Sequence, residues 1–515
     1  MRALAGLLLL TLVADLALLG GDFVWDDTIL VVQNLLTDDP ANLGRFFGIA
    51  LWDSTPLPEG SPPFYRPMML VELLIDRTLF GLSSTAHRAH SLAWHLLAVG
   101  LLFRWLLVLR PDTGGAVLGA GLFALHPLHQ EVVAFVAARN DAMATVSVLG
   151  VLVLLAPRSV GPGRVAAAGA LALYGLLSKE SAAVVLPALL AFDLARFGTL
   201  PWRRYLGVLV ALGAWWGLRS QVPLADVQLQ EPALLPAAVA WYADALVRPW
   251  TLDAAADLHR VAIPWGALGA VGLVVATLAW AGGRVALAGL VVAGLALAPA
   301  AATAVDAGGL GHRYTYLPLA GLAVVVHLAL AERLRPSIGW AFAGGLAVLG
   351  FAQAPTWSSS RTLWENAFAR NPNQESACGL FRVYRDAGQV AAAEQLLTVS
   401  LIAPPSQRCC FNASAFYVDQ GRFGAAVSEG EAALEAGCEA SAELVAPVML
   451  GAAVLGDWDR ALHYAGGLKR DPTGYLPVVQ AAAALRAGED VELDPELRER
   501  AAWVLSQSEP AEPGR

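Results

Sequence analysis

Ser91 to Arg110 reads SLAWHLLAVGLLFRWLLVLR, an apolar run closed by an arginine. As a helix rising 1.5 Å per residue it is about 28 Å long, close to the thickness of a bilayer's hydrocarbon core. The same pattern recurs over the first two thirds of the chain, with further apolar runs at about 4–19, 115–127, 141–156, 165–177, 181–194, 205–218, 261–281, 286–304, 316–331 and 338–354. Arg110, Arg158 with Arg164, Arg196 with Arg203 and Arg204, Arg284, and Arg333 with Arg335 fall in five short links between them. Basic residues in short links mark the cytoplasmic side. The reading is therefore about eleven spans with the N-terminus inside and everything after Pro355 outside the cytoplasm. The first run follows Arg2 without a small-x-small cleavage site, so it reads as an uncleaved span. The stretch 233–250, ALLPAAVAWYADALVRPW, would invert all that follows if it crossed; it reads as an interfacial helix with Asp244 and Arg248 one turn apart.

Composition agrees with a membrane chain, because 57% of the 515 residues are hydrophobic and 15% are charged, against about 25% charged in soluble domains. The net charge of −9 is concentrated in the tail: residues 1–354 hold 21 Lys+Arg and 22 Asp+Glu, residues 355–515 hold 13 and 21. An acidic tail and a near-neutral membrane part give no sign of a nucleic-acid partner. All four cysteines, Cys378, Cys409, Cys410 and Cys438, lie in the tail, and the lysines are only Lys179 and Lys469.

The tail carries a repeat. Gly388-Gln389-Val390 with Ala393 recurs as Gly421-Arg422-Phe423 with Ala426 and as Gly456-Asp457-Trp458 with Ala461, and Pro372, Pro405 and Pro472 keep the same beat. A period near 34 with a Gly-polar-hydrophobic turn resembles the tetratricopeptide repeat, a helix-turn-helix unit whose arrays hold extended peptides on a concave face. Unrelated Ala-rich helices would not share one period at four positions. The chain thus divides into a multi-span domain (1–354, with an outer loop at 21–86), a repeat domain (355–490) and a polar tail (491–515). Cysteines confined to an oxidising side read as disulfides. In such a hairpin the start of the first helix lies near the end of its partner, which places Cys409 or Cys410 against Cys438 and leaves Cys378 to the other.

Polar residues between the spans give the candidate site. Asp26 and Asp27 follow Phe23-Val24-Trp25 just outside the first span. Adjacent carboxylates are commonly solvated loop charges, but beside aromatic residues at an interface they bear a desolvation cost that a proton acceptor would justify. On an extended loop they point to opposite sides, so Asp26 is assigned the catalytic base and Asp27 a supporting role. His126, His129 and Glu131 form neither an HExxH face nor a complete ligand set, so zinc is not expected. Arg139, Asp141, Ser178-Lys179-Glu180 and His312-Arg313-Tyr314 lie in other outer loops. An isolated cation at a membrane edge often only snorkels; Arg139, Lys179 and Arg313 on one side fit an anionic head group better. Asp15 inside the first span would raise a transporter, but the polar motifs lie in outer loops and not at the midplane where transport sites sit.

These motifs, in this order, carry a family resemblance. Phe23-x-x-Asp26-Asp27 with Asn34, Tyr65-Arg66-Pro67, His90-x4-His95, His126-Pro-x-His129-x-Glu131 with Arg139-x-Asp141, Ser178-Lys179-Glu180, Arg313-Tyr314-x-x-Leu-Pro318 and Leu363-Trp364-Glu365 before Asn371-Pro372 resemble the transmembrane and tetratricopeptide-repeat O-mannosyltransferases and their bacterial relatives. The resemblance implies an all-α chain: a polytopic membrane domain of the C-type glycosyltransferase fold followed by a repeat solenoid, in a bacterial inner membrane with the repeats extracytoplasmic. It implies transfer of mannose or another hexose from a polyprenyl-phosphate-linked donor to an acceptor hydroxyl, protein serine or threonine being one such acceptor, presented through the repeats. Asp26 and Asp27 are then catalytic, and Arg66, His126, His129, Glu131, Arg139, Asp141, Lys179, Glu180, Arg313 and Tyr314 bind substrate. A divalent metal is left open as a cofactor, with no ligand set assigned to it. The competing reading is a membrane-anchored repeat scaffold without catalysis.

Overall fold

The computed structural model describes residues 1–55, 64–222, 232–250, 265–306, 310–400, 407–410, 412–468, 471, 473–489 and 491–508. The Pro-rich stretch 56–63, the repeat prolines Pro405 and Pro472, Lys469 and the last seven residues lie outside them. Among the described residues the chain is all-α, with no strand. It forms two compact units, Met1–Asn366 and Ala367–Arg515; the division falls a little beyond Pro355, inside the helix Ser360–Arg370.

Every apolar run of the first unit is a helix in its described residues, 261–264 lying outside them. These are α1 (Arg2–Asp15), α3 (Ser84–Leu109), α4 (Thr113–Leu125), α6 (Arg139–Leu154), α7 (Pro162–Ser178), α8 (Val185–Phe197), α9 (Leu206–Arg219), α11 (Trp265–Ala281), α12 (Gly283–Asp306), α13 (Tyr316–Leu330) and α14 (Pro336–Gln353). The outer loop adds α2 (Pro67–Phe80), a short α5 (Gln130–Ala134) follows α4, and α10 (Leu235–Val247) occupies the segment read as interfacial. Among the described residues six helical segments are long and apolar enough to cross a membrane, which makes the chain an integral membrane protein. The other five runs form shorter helices of 13 to 17 residues, two of them entered through tight 3-10 turns at Glu180–Val184 and Trp202–Tyr205.

Local chemistry sets the helix ends. The Asp112 side chain caps α4 by accepting from the Gly114 and Gly115 amides, Pro67 opens α2 where its missing N–H costs nothing, and Gly198 closes α8 in the left-handed region. The end of α1 is capped from another helix. Arg88 of α3 donates to the carbonyls of Leu18 (2.6 Å), Trp357 (2.9 Å) and Asp22. A Cβ at Gly21 would lie 2.2 Å from that guanidinium, so only glycine admits it. The bundle core runs from Leu7 of α1 through Leu102, Phe123 and Leu149 to Leu319 of α13, all buried.

The second unit is a series of antiparallel helix pairs: α15 (Gln374–Asp386) with α16 (Val390–Ser400), α17 (Asn412–Asp419) with α18 (Phe423–Glu435), α19 (Ala442–Val454) with α20 (Trp458–Gly467), and α21 (Tyr475–Arg486) with α22 (Pro495–Ser508). The repeat glycines are the turns between partners. Gly388, Gly421 and Gly456 have φ of 69°, 68° and 79°. At each, the glycine amide and the next amide bond back to the preceding helix, for example Gly388 to Arg385 and Gln389 to Tyr384, the Schellman closure that requires a left-handed residue. Gly488, at φ 75°, makes the same pair of bonds. It turns a fourth hairpin, where a degenerate fourth repeat is expected from about Pro472 onward: neither a hydrophobic residue nor an alanine follows the glycine at the places the other three keep. Cys410 and Cys438 are joined with Cα atoms 5.8 Å apart. Cys378 and Cys409 are buried thiols, hydrogen-bonded to each other and not bridged, so the second expected disulfide is absent.

Candidate functional site

At one end of the bundle the loops after α1, α5, α7 and α12 converge. Here Lys179, where α7 stops, donates to both oxygens of Asp141 at 2.6 Å. Its ammonium stands 5.0 Å from the centre of the Tyr314 ring. Arg66 donates to Glu180 at 3.0 and 2.9 Å and lies over the Phe64 ring. Burial pulls the Lys179 ammonium below its ordinary pKa, with Asp141 opposing the shift. These residues and Arg219, at the end of α9, line a cleft of about 190 Å³ whose other wall is apolar, with Ala296, Pro299, Leu317 and Pro318. Among the described residues Arg219 has no carboxylate partner; its guanidinium rests 5.9 Å from the Trp216 ring.

A second group abuts the first through Tyr314. Arg313 pairs with Glu131, whose Oε2 also accepts from the Arg313 amide at 3.2 Å. The Arg313 guanidinium lies 4.7 Å from the Tyr314 ring and 5.5 Å from the rings of Trp25 and Phe135. Trp25 stacks on Phe135 at 5.4 Å and meets Trp364 edge-on. Its φ of 55° is costly for a bulky residue. The aromatic contacts and an amide bond from Trp25 to Ser360 Oγ at 3.0 Å hold it there.

The two adjacent aspartates differ in environment. Asp27 is fully buried and accepts from the amides of Ala137 (2.8 Å), Val136 (3.1 Å) and Val24 (3.4 Å), tying its loop to the segment before α6. Burial outweighs these donors and raises its carboxyl to about 7. Asp26 is half-buried, and its carbonyl takes the Ile29 and Leu30 amides that start the next turn.

Other residues expected at the site are placed elsewhere. Arg139 is buried against Asp76 of α2 (2.6 Å), with Ser91 and the His87 carbonyl as further partners. His90 joins Asp76 at 2.7 Å and Glu72 at 3.2 Å, so this network fastens the outer-loop helix to α3 and α6. His126 accepts from the Leu128 amide and meets the Leu246 carbonyl. His129 bonds the Phe123 carbonyl at 2.6 Å within a cluster of Phe123, His95 and Tyr316 rings. Asp15 is buried, and its Oδ2 makes no hydrogen bond among the described residues. Among the described residues no three His, Cys, Asp or Glu side chains are grouped to hold a metal.

Sequence reading overlooked Arg219, Glu72 and Asp76. Arg219 had a signal: an arginine at the outer end of a span runs against the charge bias of the links. Glu72 and Asp76 are one turn apart in an otherwise apolar stretch, VELLID.

Comparison with known proteins gives the same relatives as the motifs. The chain is similar to protein O-mannosyltransferases. It is 30% identical to the Drosophila melanogaster protein O-mannosyl-transferase Tmtc2 over 217 residues, 40% of this chain and 23% of that one. It is 26% identical to the Caenorhabditis elegans protein O-mannosyl-transferase F38B6.6 over 196 residues, 37% and 28% of the two chains. With human TMTC3 it shares 26% identity over 140 residues, 27% and 15% of the two chains. The chain thus spans about a quarter of the length of the first two relatives. Among solved structures, ArnT from Cupriavidus metallidurans, determined bound to undecaprenyl phosphate, aligns over 98% of this chain and 89% of its own, with 15% identity and a TM-score of 0.42. No family model matches the chain.

Proposed function

We propose that this chain is a membrane glycosyltransferase that moves a hexose, mannose or a close relative, from a polyprenyl-phosphate-linked donor to an acceptor hydroxyl on the extracytoplasmic face. The observation that carries the reading is the cleft, where cations converge beside an apolar wall at the membrane edge. Lys179, Arg66 and Arg219 line it opposite Pro299, Leu317 and Pro318. A lipid phosphate needs both surfaces: charge for its head group and hydrocarbon for its chain. The relatives named O-mannosyltransferases support the reaction class.

In the proposed reaction the acceptor oxygen bonds to the anomeric carbon, its proton passes to Asp26, and the bond from that carbon to the donor phosphate oxygen breaks. A neutral hydroxyl is a weak nucleophile and needs a positioned carboxylate as the bond forms. The departing polyprenyl phosphate gains negative charge, which fixed cations offset in a site from which water is largely excluded. Lys179 and Arg66 already hold carboxylates, so their net charge is partly spent, and Arg219 supplies the cation that has none among the described residues. Trp25 and Arg313 keep the Asp26 loop against this group. The tail's helix pairs are assigned to the acceptor, a polypeptide carrying serine or threonine.

The test is transfer of radiolabelled mannose from polyprenyl-phosphate-mannose to envelope protein in membranes with and without this chain. Label that appears only with the chain, and is lost in Arg219→Met, supports the proposal. Equal label in both membranes, repeated with a glucose donor, would leave the scaffold reading as the better one.

A further inference from the structure

At the far end of α7 from Lys179, a second cavity of about 840 Å³ opens between α7 and α9. Its floor is made where the two helices touch. A Cβ on Gly169 would lie 2.7 Å from the Gly207 carbonyl, and one on Gly207 would lie 2.1 Å from the Val165 carbonyl. The backbones therefore meet at these glycines. The side chains flanking them are as small as Ala166 on α7 and Ala214 on α9. The result is an apolar furrow along the outside of the bundle, facing lipid.

Its mouth is basic. Arg158, Arg203 and Arg204 line that end. Asp193 is the only carboxylate bonded to any of them among the described residues, 3.2 Å from Arg204 Nε and also accepting from the Tyr205 hydroxyl at 2.7 Å. Arg204 is 3% exposed, and its Nη1 makes no hydrogen bond. A buried guanidinium N–H without an acceptor costs free energy unless a ligand supplies one. Trp202, 63% exposed beside it, has the amphipathic ring that settles at head-group level.

The geometry points to a binding site for an anionic glycerophospholipid of the leaflet opposite the donor cleft, its phosphate held by Arg158, Arg203 and Arg204 and one acyl chain laid along the α7–α9 furrow. Charge and shape both favour that occupant. A soluble anion would leave the furrow empty, and a zwitterionic lipid would bring a second cation among the three arginines. The site is about 25 Å from Lys179 by the length of α7, and its argument is independent of the proposed reaction.

Native mass spectrometry of the full chain released from detergent tests it, with phosphatidylglycerol or phosphatidylcholine of the same acyl chains added. Wild type is expected to retain phosphatidylglycerol preferentially. Arg158→Gln with Arg203→Gln should weaken that retention roughly 25-fold, an arginine near the surface being worth about a factor of five. Both side chains are exposed and the Arg204–Asp193 pair is untouched, so the fold is kept. Ala166→Phe with Ala214→Phe, which fills the furrow, should reduce retention of both lipids. Arg335→Gln, an exposed arginine that does not line the cavity, should leave the preference as it is. Equal retention of the two lipids by wild type, or unchanged phosphatidylglycerol retention in the arginine variant, overturns the proposal.

Discussion

The Lys179 ammonium sits 2.6 Å from each carboxylate oxygen of Asp141, and both side chains are buried at the edge of the cationic cleft. Removing one partner of such a pair leaves an uncompensated buried charge, which costs about 3–5 kcal/mol. Lys179→Met alone is therefore expected to lose both folded protein and transfer. The double change Lys179→Met with Asp141→Asn should recover the amount of folded protein in detergent while transfer stays low. Recovery of transfer along with folding would show that the pair only holds the structure.

Asp27 gives a pH dependence. Its folded carboxyl is raised to about 7 from an ordinary 3.8. A raised acid favours the protonated form in the folded state, so its contribution to stability is complete below about 4 and is lost as pH rises through 7. The unfolding midpoint of the purified chain should fall between pH 5 and pH 8.5, by the equivalent of a few kcal/mol at most. Asp27→Asn cannot titrate. Its midpoint should be lower at pH 5, because one acceptor becomes a donor, but should decline less steeply with pH. Parallel declines in the two proteins would assign the effect to other groups.

The bond between Cys410 and Cys438 closes a segment with sequence separation 28, a constraint on the unfolded chain of roughly 3–4 kcal/mol in the loop-entropy account. Denatured without reductant, the protein should present two reactive thiols per chain, and four after reduction. Cys378 and Cys409 hydrogen-bond to each other, so mild oxidation should bring the count to zero. Finding four thiols before reduction would exclude the bridge.

What was legible in the sequence follows from what is local. A span is decided by the length and apolarity of one segment, so helices stand at each of the eleven runs. The hairpin turns at Gly388, Gly421 and Gly456 were legible because a left-handed residue must be placed at each helix end whatever it touches. The pairing of charges was not. Nothing adjacent to Arg139 indicates that its partner is Asp76, 63 positions earlier, or that Glu131 holds Arg313, 182 positions later. A list of cations in outer loops therefore could not separate Arg219, which has no carboxylate among the described residues, from Arg139, which is committed to the scaffold. The same limit applies to the aspartates. Their spacing makes them equivalent until the amides of Val136 and Ala137 are seen to converge on Asp27.

That difference decides the last prediction, that Asp26 is the base and Asp27 its support. Asp27 has three backbone donors and no exposure, so it cannot meet an acceptor hydroxyl without dismantling its loop. Asp26 is half-buried on the same turn, next to a tryptophan held at φ 55° between Phe135 and the Arg313 guanidinium. Strain of this kind persists only where the surroundings enforce it, and here it fixes the direction in which the Asp26 loop leaves the membrane. Losing a general base typically costs about 10²–10⁴ in rate. Asp26→Asn should lower kcat for mannose transfer by that order with the donor KM little changed, whereas Arg219→Met should act mainly on the donor KM. Trp25→Gly relieves the backbone strain but removes the stacking, so it should lower kcat less than Asp26→Asn does. Asp27→Asn should reduce transfer together with the amount of folded protein. If Asp26→Asn retains wild-type kcat in protein of unchanged stability, the base lies elsewhere, and Asp141, which with Glu180 supplies the carboxylates lining the cleft, becomes the residue to change next.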